Sequence, residues 1–300
     1  MGKLKRKSGK RFLFPQHGLM AMRHWTLDNI PWDKFDRSKV DPDLLRIVKA
    51  TAMVEANGGD YGTYLCRVFH DDPEFQQVAQ EWAVEEMQHG SALGRWAMLA
   101  DPSFDYDESF RRFTAGYKIE LDVEKSIRGS RAGELVARCI VETGTSTYYT
   151  ALKEAAEEPV LKEICRNIAA DEFRHYKLFY THLKRYLDRE KLGAWGRIRV
   201  ALRRLIESED DELAYAYYAA NHPGETYDRR RCSREYARAA YPLYRRPHVE
   251  RGIAMVLKAI GLSPTGRLSR WLANFAFRFL RFRADRLNTR ALNSGDLNAA

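Results

Sequence analysis

Glu-Glu-Met-Gln-His at residues 85–89 and Asp-Glu-Phe-Arg-His at residues 171–175 are two versions of one short motif. Each version contains Glu-x-x-His, namely Glu86 with His89 and Glu172 with His175. Residues three apart lie on the same face of an α-helix, so each motif places a carboxylate beside an imidazole. The repeated motif therefore predicts two helices that each direct two metal ligands into a shared interior.

A single glutamate precedes each motif at nearly the same distance. Glu55 lies 86 − 55 = 31 residues before Glu86, and Glu142 lies 172 − 142 = 30 residues before Glu172. At about 1.5 Å per helical residue, this distance leads from the middle of one helix, through a turn, to the middle of an antiparallel neighbour. Four helices would then bring their carboxylates to one level, which predicts an all-α protein built on a four-helix bundle.

The predicted metal ligands are four carboxylates and two imidazoles: Glu55, Glu86, His89, Glu142, Glu172 and His175. This mixed oxygen and nitrogen set suits two iron ions better than zinc or calcium, and a Mn/Fe pair would use the same ligand types. The alternative is that solvated helix faces carry these residues by chance. The apolar neighbours Val54 and Val141 speak against it, because a buried carboxylate needs a compensating partner.

Two further carboxylates, Glu85 and Asp171, immediately precede the ligand pairs. A metal-bound histidine usually donates its second ring N–H to a carboxylate. We predict that Asp171 accepts from His89 and Glu85 from His175 across the bundle, and that Arg174 forms an ion pair with them. The alternative is that both carboxylates lie on the surface.

Thr145 lies one turn after Glu142 on the predicted ligand face, which makes its hydroxyl the candidate catalytic group. It could donate a proton or a hydrogen bond to oxygen at the metals. The alternative is a hydroxyl that bonds the carbonyl of its own helix four residues earlier. For the tyrosines near the motifs, Tyr149 among them, core packing is the favoured interpretation.

Helix start signals divide the chain into three parts. Residues 1–40 form a basic lead-in, residues 41–190 the bundle and residues 191–300 a helical extension. Asp-Pro or Glu-Pro pairs mark the predicted starts of three bundle helices, at Pro42, Pro73 and Pro159. Aromatic anchors are expected in the lead-in at Phe12, Phe14, Trp25 and Trp32. Helices are predicted over 42–55, 61–69, 73–100, 107–116, 131–157, 160–189, 194–218, 232–241, 247–260 and 265–287.

The composition is that of a globular chain of 300 residues with a net charge of +9. No apolar run is long enough to span a membrane, and the basic N-terminus lacks the apolar segment of a secretory signal. The four cysteines show no Cys-x-x-Cys pairing, which favours reduced thiols. These features predict a cytoplasmic protein, with attachment to the inner face of the membrane left open.

Residues 265–287 predict a basic amphipathic helix. One stripe is apolar, and arginines cover the other faces. Such a helix could bind an anionic membrane surface or an acidic acyl carrier protein. The third interpretation is packing on the bundle or on a second subunit, as in a homodimer. Nucleic acid is not favoured, since no loop interleaves aromatic and basic residues. The stripe consists of Leu268, Trp271, Leu272, Phe275, Phe279 and Phe282.

Residues 42–187 resemble the ferritin-like di-iron carboxylate superfamily, and within it the soluble acyl-carrier-protein desaturases and related bacterial oxygenases. Ile-Ala-Ala-Asp-Glu-Phe-Arg-His (168–175), Glu-Glu-Met-Gln-His-Gly (85–90) and Glu142-x-x-Thr145 carry the likeness. Ile168 stands where the arylamine oxygenases have a third histidine, and the rubredoxin-like module of rubrerythrins is missing. The resemblance implies a ferritin-like fold and an O₂-activating desaturase or hydroxylase.

The resemblance also implies the partners. These are dioxygen, an apolar or acyl substrate and an external electron donor. Two other functions stay open at this point. One is a ferritin-like ferroxidase or peroxidase, which needs no organic substrate. The other is a non-enzymatic metal-binding scaffold whose basic tail binds a membrane or an acidic partner. The substrate, the choice between desaturation and hydroxylation and the oligomeric state do not follow from the sequence.

Overall fold

The computed structural model describes residues 25–207 and 211–294, with side chains up to residue 289. These residues form α-helices, short 3₁₀ turns and loops, and no strand occurs among them, which confirms the all-α class. Residues 1–24 of the predicted lead-in, with Phe12 and Phe14, lie outside the described residues. The helices are α1 (Pro42–Ala56), α2 (Gly58–Val68), α3 (Pro73–Ala100), α4 (Tyr106–Gly116), α5 (Arg131–Ala155), α6 (Pro159–Glu190), α7 (Ala194–Glu207), α8 (Asp211–Asn221), α9 (Arg229–Ala240), α10 (Arg246–Ala259) and α11 (Arg267–Ser294).

Capping carboxylates set the starts of the bundle helices, as the Asp-Pro and Glu-Pro pairs predict. Asp41 accepts hydrogen bonds from the first turn of α1, Asp72 from the first turn of α3, and Glu158 from the first turn of α6. In each case proline follows at the first helical position, where its missing N–H costs no hydrogen bond. Of the helix predicted over 194–218, residues 208–210 lie outside the described residues, and α7 and α8 cover the parts on either side of them.

Cross-helix contacts establish the relative directions of α3, α5 and α6 in the bundle. Along α3 and α6, Glu74 meets Arg185 and Trp96 meets Glu158, so these two helices are antiparallel. On α5 and α6, Ala132 meets Glu190 whereas Ser146 meets Ala169, so they are antiparallel as well. Helix α5 therefore runs parallel to α3, which confirms the orientation that the long connection over 101–130 is needed to provide.

Glycines let α1 and α2 approach α3 more closely than side chains would allow. A Cβ at Gly90 would lie 2.6 Å from the backbone N of Ala56, and one at Gly62 would lie 2.6 Å from Cβ of Ala83. Between α1 and α2 the helix breaks at Asn57, two residues after Glu55, where a break was predicted. The close approach brings Glu55 within reach of the α3 ligands.

The C-terminal helices surround the bundle instead of forming a separate core. α8 packs on α1, α10 on α5, α7 on α5, and α11 on α10 and α9. Their apolar residues join the two buried clusters that occupy opposite ends of the bundle, one rich in α1 and α8 residues and one rich in α2, α5 and α6 residues. Across residues 25–207 and 211–294, no helix has both the length and the apolar character required to cross a membrane.

Candidate metal centre

The six predicted ligands converge at the middle of the bundle. They form two groups, and within each group the donor atoms lie within 4.8 Å of one another. All six side chains are buried. Glu86 and Glu172 belong to both groups, so the arrangement could hold two metal ions that share these two carboxylates. The first group is Glu55, Glu86, His89 and Glu172, and the second is Glu86, Glu142, Glu172 and His175.

Both histidines turn the same ring nitrogen toward the carboxylates. Nδ1 of His89 lies 3.3 Å from Oε1 of Glu172 and 3.7 Å from Oε2 of Glu55. Nδ1 of His175 lies 3.0 Å from Oε1 of Glu86 and 3.6 Å from Oε2 of Glu142. Because each Nε2 faces outward to another acceptor, Nδ1 is the nitrogen available to a metal.

The inner atoms of this cluster fit a metal pair because they lack other partners. Nδ1 of both histidines, both oxygens of Glu142 and one oxygen each of Glu86 and Glu172 are buried without a hydrogen bond. An unsatisfied buried polar atom costs about 1–3 kcal/mol, and more when it is charged. Two divalent cations would compensate these atoms, and the four carboxylates with two imidazoles match the donor preference of iron or manganese.

An outer layer of hydrogen bonds orients the two imidazoles. Nε2 of His89 lies 3.1 Å from Oδ2 of Asp171, and Nε2 of His175 lies 2.7 Å from Oε2 of Glu85. Arg174 joins the two carboxylates, since it donates to Oδ1 of Asp171 over 2.6 Å and to Oε2 of Glu85 over 3.0 Å. The structure thus brings these residues together in the predicted pairing, and the surface alternative does not describe them.

Trp25 is a member of this outer layer that sequence reasoning treated only as an aromatic anchor. Its Nε1 donates to Oδ2 of Asp171 over 2.7 Å, and its ring stacks on the His89 ring with a 6.0 Å centroid separation. A chain of hydrogen bonds therefore runs from half-buried Trp25 through Asp171 to the imidazole. No local pattern links residues 146 positions apart, which is why only the fold reveals the contact.

Two hydroxyl groups donate to the carboxylates from inside the bundle. Oγ1 of Thr145 lies 2.6 Å from Oε2 of Glu172, and 3.3 Å from the carbonyl oxygens of Val141 and Glu142. The Thr145 hydroxyl donates its proton in the shortest of these contacts, to Glu172. The hydroxyl is therefore directed to the centre and also lies close to the carbonyl oxygens of its own helix. The hydroxyl of fully buried Tyr149 donates to Oε1 of Glu55 over 2.5 Å, a role beyond core packing.

Burial and nearby charges favour the neutral form of the Glu55 carboxyl and the charged form of the His89 imidazole. Burial, together with the nearby charge of Glu86, raises the pKa of Glu55 well above its usual range. Burial alone would lower the pKa of His89, but the close carboxylates of Asp171 and Glu172 outweigh that effect and raise the pKa. Without metal, the cluster therefore holds protons on both kinds of ligand, and metal binding must displace them.

His182, seven residues after His175, belongs to a different cluster. Its Nδ1 lies 3.0 Å from Nη2 of Arg185, and its ring meets the edge of Phe75. Burial, followed by the charge of Arg185, lowers the pKa of this imidazole. His182 is thus a neutral acceptor at the α3–α6 contact and lies outside both ligand groups.

The fold and these side chains define a class of site, a buried cluster of carboxylates and imidazoles within a helical bundle that could hold metal ions. The family model for fatty acid desaturases matches residues 67–208, so this part of the chain is similar to that family. The matched segment contains every predicted ligand except Glu55, which lies on α1 ahead of it. No curated protein matches the chain. The similarity supports a desaturase-like oxidoreductase.

Proposed function

We propose that the protein is a di-iron oxidoreductase that uses dioxygen to desaturate or hydroxylate an acyl-type substrate. The observation that carries the proposal is the pair of ligand groups that share Glu86 and Glu172. Carboxylates shared by the two groups would hold two metal ions close together, and an iron pair would supply two electrons to one molecule of dioxygen. The similarity to fatty acid desaturases supports an acyl chain as the substrate class.

The chain's own residues would hold the irons in two positions with the same types of ligand. Glu55 and His89 serve one position and Glu142 and His175 the other, with Glu86 and Glu172 between them. Bound iron would supply the reducing equivalents that activate dioxygen. Asp171 and Glu85 keep both imidazoles in the tautomer with Nδ1 unprotonated, since each accepts from Nε2–H.

Thr145 holds a proton beside the bridging carboxylate. Its Oγ1–H donates to Oε2 of Glu172, so a movement of that carboxylate would free the hydroxyl to donate elsewhere in the centre. Tyr149 holds Glu55 on the opposite side through its own hydroxyl. The two hydroxyl groups thus restrain one bridging and one terminal carboxylate, which keeps the ligand geometry defined before substrate arrives.

The overall reaction requires electrons from outside the chain. Desaturation converts CH₂–CH₂ to CH=CH and consumes one dioxygen, two electrons and two protons, with two water molecules formed. Hydroxylation consumes the same electrons and protons but retains one oxygen atom in the product. A separate reductase or ferredoxin-type donor would deliver the electrons in either case.

The experiment combines iron counting with product analysis. The full chain is loaded anaerobically with Fe(II), desalted and analysed for metal, and then given a chemical reductant, dioxygen and a panel of acyl thioesters, acyl carrier protein conjugates and free fatty acids. We expect two irons per chain and a product that has lost two hydrogens or gained one oxygen atom. Glu142→Ala should lower the iron content and remove the product, whereas Glu163→Ala on the exposed side of α6 should change neither.

Two outcomes would contradict the proposal. Iron binding below two per chain that Glu142→Ala does not change would mean that the cluster is not the metal site. Fe(II) oxidation by dioxygen that proceeds at the same rate with and without every acyl compound, with no organic product, would identify a ferroxidase instead.

A further inference from the structure

The apolar stripe of α11 faces solvent although the helix itself is packed on the protein. Five of its large side chains are between 50 and 62% exposed. The packed side of the helix is made of small residues such as Ser269, Ala273 and Ala284, which lie against α10 and α9. The helix thus has a bound face and a separate apolar face with no covering residues in the described chain. The exposed side chains are Leu268, Trp271, Phe275, Phe279 and Phe282.

The exposed side chains form one continuous ridge. The Trp271 and Phe275 rings stack at 5.9 Å, and the Phe275 and Phe279 rings stack at 6.4 Å. From Leu268 to Phe282 the ridge extends about 21 Å along the helix, at about 1.5 Å per residue. Large apolar patches on a protein surface mark contact with a partner or a membrane.

The charge beside this ridge is almost entirely positive. Between residues 267 and 289 the only acidic residue is Asp285. The basic residues are Arg267, Arg270, Arg278, Arg281, Arg283 and Arg286. Arg283 is occupied with the Tyr241 and Phe279 rings, whereas Arg278 and Arg281 are exposed on the helix surface. An aromatic ridge flanked by arginines is complementary to a surface that is both apolar and anionic.

Helix α7 adds a second exposed apolar face near the start of α11. Trp195 is 84% exposed and Ile206 is 77% exposed, and Leu202 lies between them on the same helix. The Arg197 guanidinium of α7 packs against Gly261, in the turn that leads to α11. Side chains of both helices, Leu272 included, join one packed cluster. These contacts place α7 close to the start of α11, where the ridge begins.

We propose that α11, together with α7, docks the protein on an anionic lipid surface. Trp271 and the phenylalanines would enter the interface between headgroups and acyl chains, and Arg278 and Arg281 would contact lipid phosphates. A second copy of the chain fits less well, because an isologous contact would bring the arginine rows of two α11 helices together. A folded acidic protein would need a groove that matches a convex ridge, whereas a lipid layer deforms around it.

The test is flotation of the full chain with lipid vesicles. Vesicles of phosphatidylcholine alone are compared with vesicles of equal parts phosphatidylcholine and phosphatidylglycerol. We expect the protein to float with the anionic vesicles only, and the floated fraction to fall several-fold as salt is raised, because screening weakens the arginine contacts. The tryptophan emission should shift to shorter wavelength on binding, and Trp271→Phe should reduce that shift and leave the part contributed by Trp195.

Matched variants separate the ridge from general surface effects. Phe275→Ser with Phe279→Ser should reduce the floated fraction at least about tenfold, since each aromatic side chain contributes on the order of 1.5 kcal/mol or more of apolar burial. Arg278→Gln with Arg281→Gln should weaken binding to anionic vesicles. Met98→Ser, which alters a residue 41% exposed on α3, a helix that packs on neither α7 nor α11, should change nothing.

Several results would overturn the proposal. One is a wild-type chain that stays at the bottom of the gradient with anionic vesicles, and another is flotation that survives the double phenylalanine variant. A concentration-dependent dimer that the phenylalanine variants dissociate would assign the ridge to a second copy. Circular dichroism of each variant distinguishes loss of the ridge from loss of the fold, and iron content reports on the metal centre independently of lipid binding.

Discussion

At the scale of single residues, Asp171 connects three side chains around the centre. It accepts from Trp25, faces Nε2 of His89 and pairs with Arg174. Removing its charge while keeping its shape should leave the fold intact but loosen the orientation of His89 and reduce its basicity. For Asp171→Asn we expect a loss of about 10–100-fold in iron affinity, the range typical of such outer ligand partners.

Competition with a chelator during anaerobic iron titration measures this loss. Asp188→Asn is the matched control, because Asp188 is exposed on the same helix. Iron affinity in Asp171→Asn equal to that of the wild type would show that the hydrogen bond to His89 does not support metal binding.

His182 should give the stability of the protein a pH dependence near neutrality. The pKa of this imidazole is lowered from its usual value of 6.5 in the folded chain, by burial first and by Arg185 second. The unfolded chain therefore takes up the proton first as the pH falls, so the free energy of unfolding should decrease below about pH 6.5. Urea unfolding of the metal-free protein at a series of pH values measures the decrease, and His182→Gln should make it smaller. An identical pH profile in the variant would assign the effect to other groups.

The sequence predicts those residues of the centre whose positions follow from helical periodicity. Glu-x-x-His and the lone glutamates follow from spacing on one helix or on two neighbouring helices. Trp25 and Tyr149 do not, because their contacts with Asp171 and Glu55 join parts of the chain that no local pattern relates. Whether the six residues bind metal stays a prediction, since geometry shows that the ligands converge and not what they bind.

At the scale of helices, Gly90 controls how closely α1 approaches α3. A Cβ there would lie 2.6 Å from the backbone N of Ala56 and 3.0 Å from the carbonyl oxygen of Ala52. Backbone atoms cannot turn aside as a flexible side chain can, so the two helices must separate. We expect Gly90→Ala to destabilise the protein by about 1–3 kcal/mol, the range of overpacked cores, and to weaken iron binding because Glu55 moves from His89.

Gly144→Ala on α5 is the matched control with the opposite sign. No atom lies within 4 Å of a Cβ at Gly144, and its backbone is helical. Alanine there should stabilise the helix by about 0.5–1 kcal/mol. Chemical denaturation of both variants measures the two effects, and equal stabilities would refute the assignment of Gly90 to a helix contact.

Helix positions were predictable because capping residues and proline mark the starts, but helix orientation on the surface was not. Most of the apolar stripe of α11 is exposed, whereas the buried residues of the helix are the small ones Ser269, Ala273 and Ala284, with Leu272 of the stripe packed beside them. Small side chains allow a close helix contact without giving a strong hydrophobic pattern. Periodicity therefore identified an amphipathic helix correctly and could not say which surface it contacts.

At the scale of the whole molecule, the centre joins helices that are far apart in the sequence. α1, α3, α5 and α6 each supply at least one predicted ligand, so a metal pair would bind them together in the folded state only. A ligand that binds the folded state alone adds RT ln(1 + [L]/Kd) to stability, which is about 2.7 kcal/mol at a hundredfold excess over Kd. Anaerobic Fe(II) should therefore raise the midpoint of thermal unfolding by several degrees.

Glu142→Ala tests whether this stabilisation depends on metal binding at the proposed site. Both oxygens of Glu142 are buried without a hydrogen bond, so its removal costs the metal-free protein little beyond a cavity. The variant should unfold near the wild-type temperature without metal and gain much less from Fe(II). Glu163→Ala, outside the centre on the exposed side of α6, should keep the full gain. Differential scanning calorimetry with and without Fe(II) provides the comparison. A full gain in Glu142→Ala would place the stabilising metal elsewhere in the chain, and no gain in the wild type would mean that these four helices do not share a metal pair.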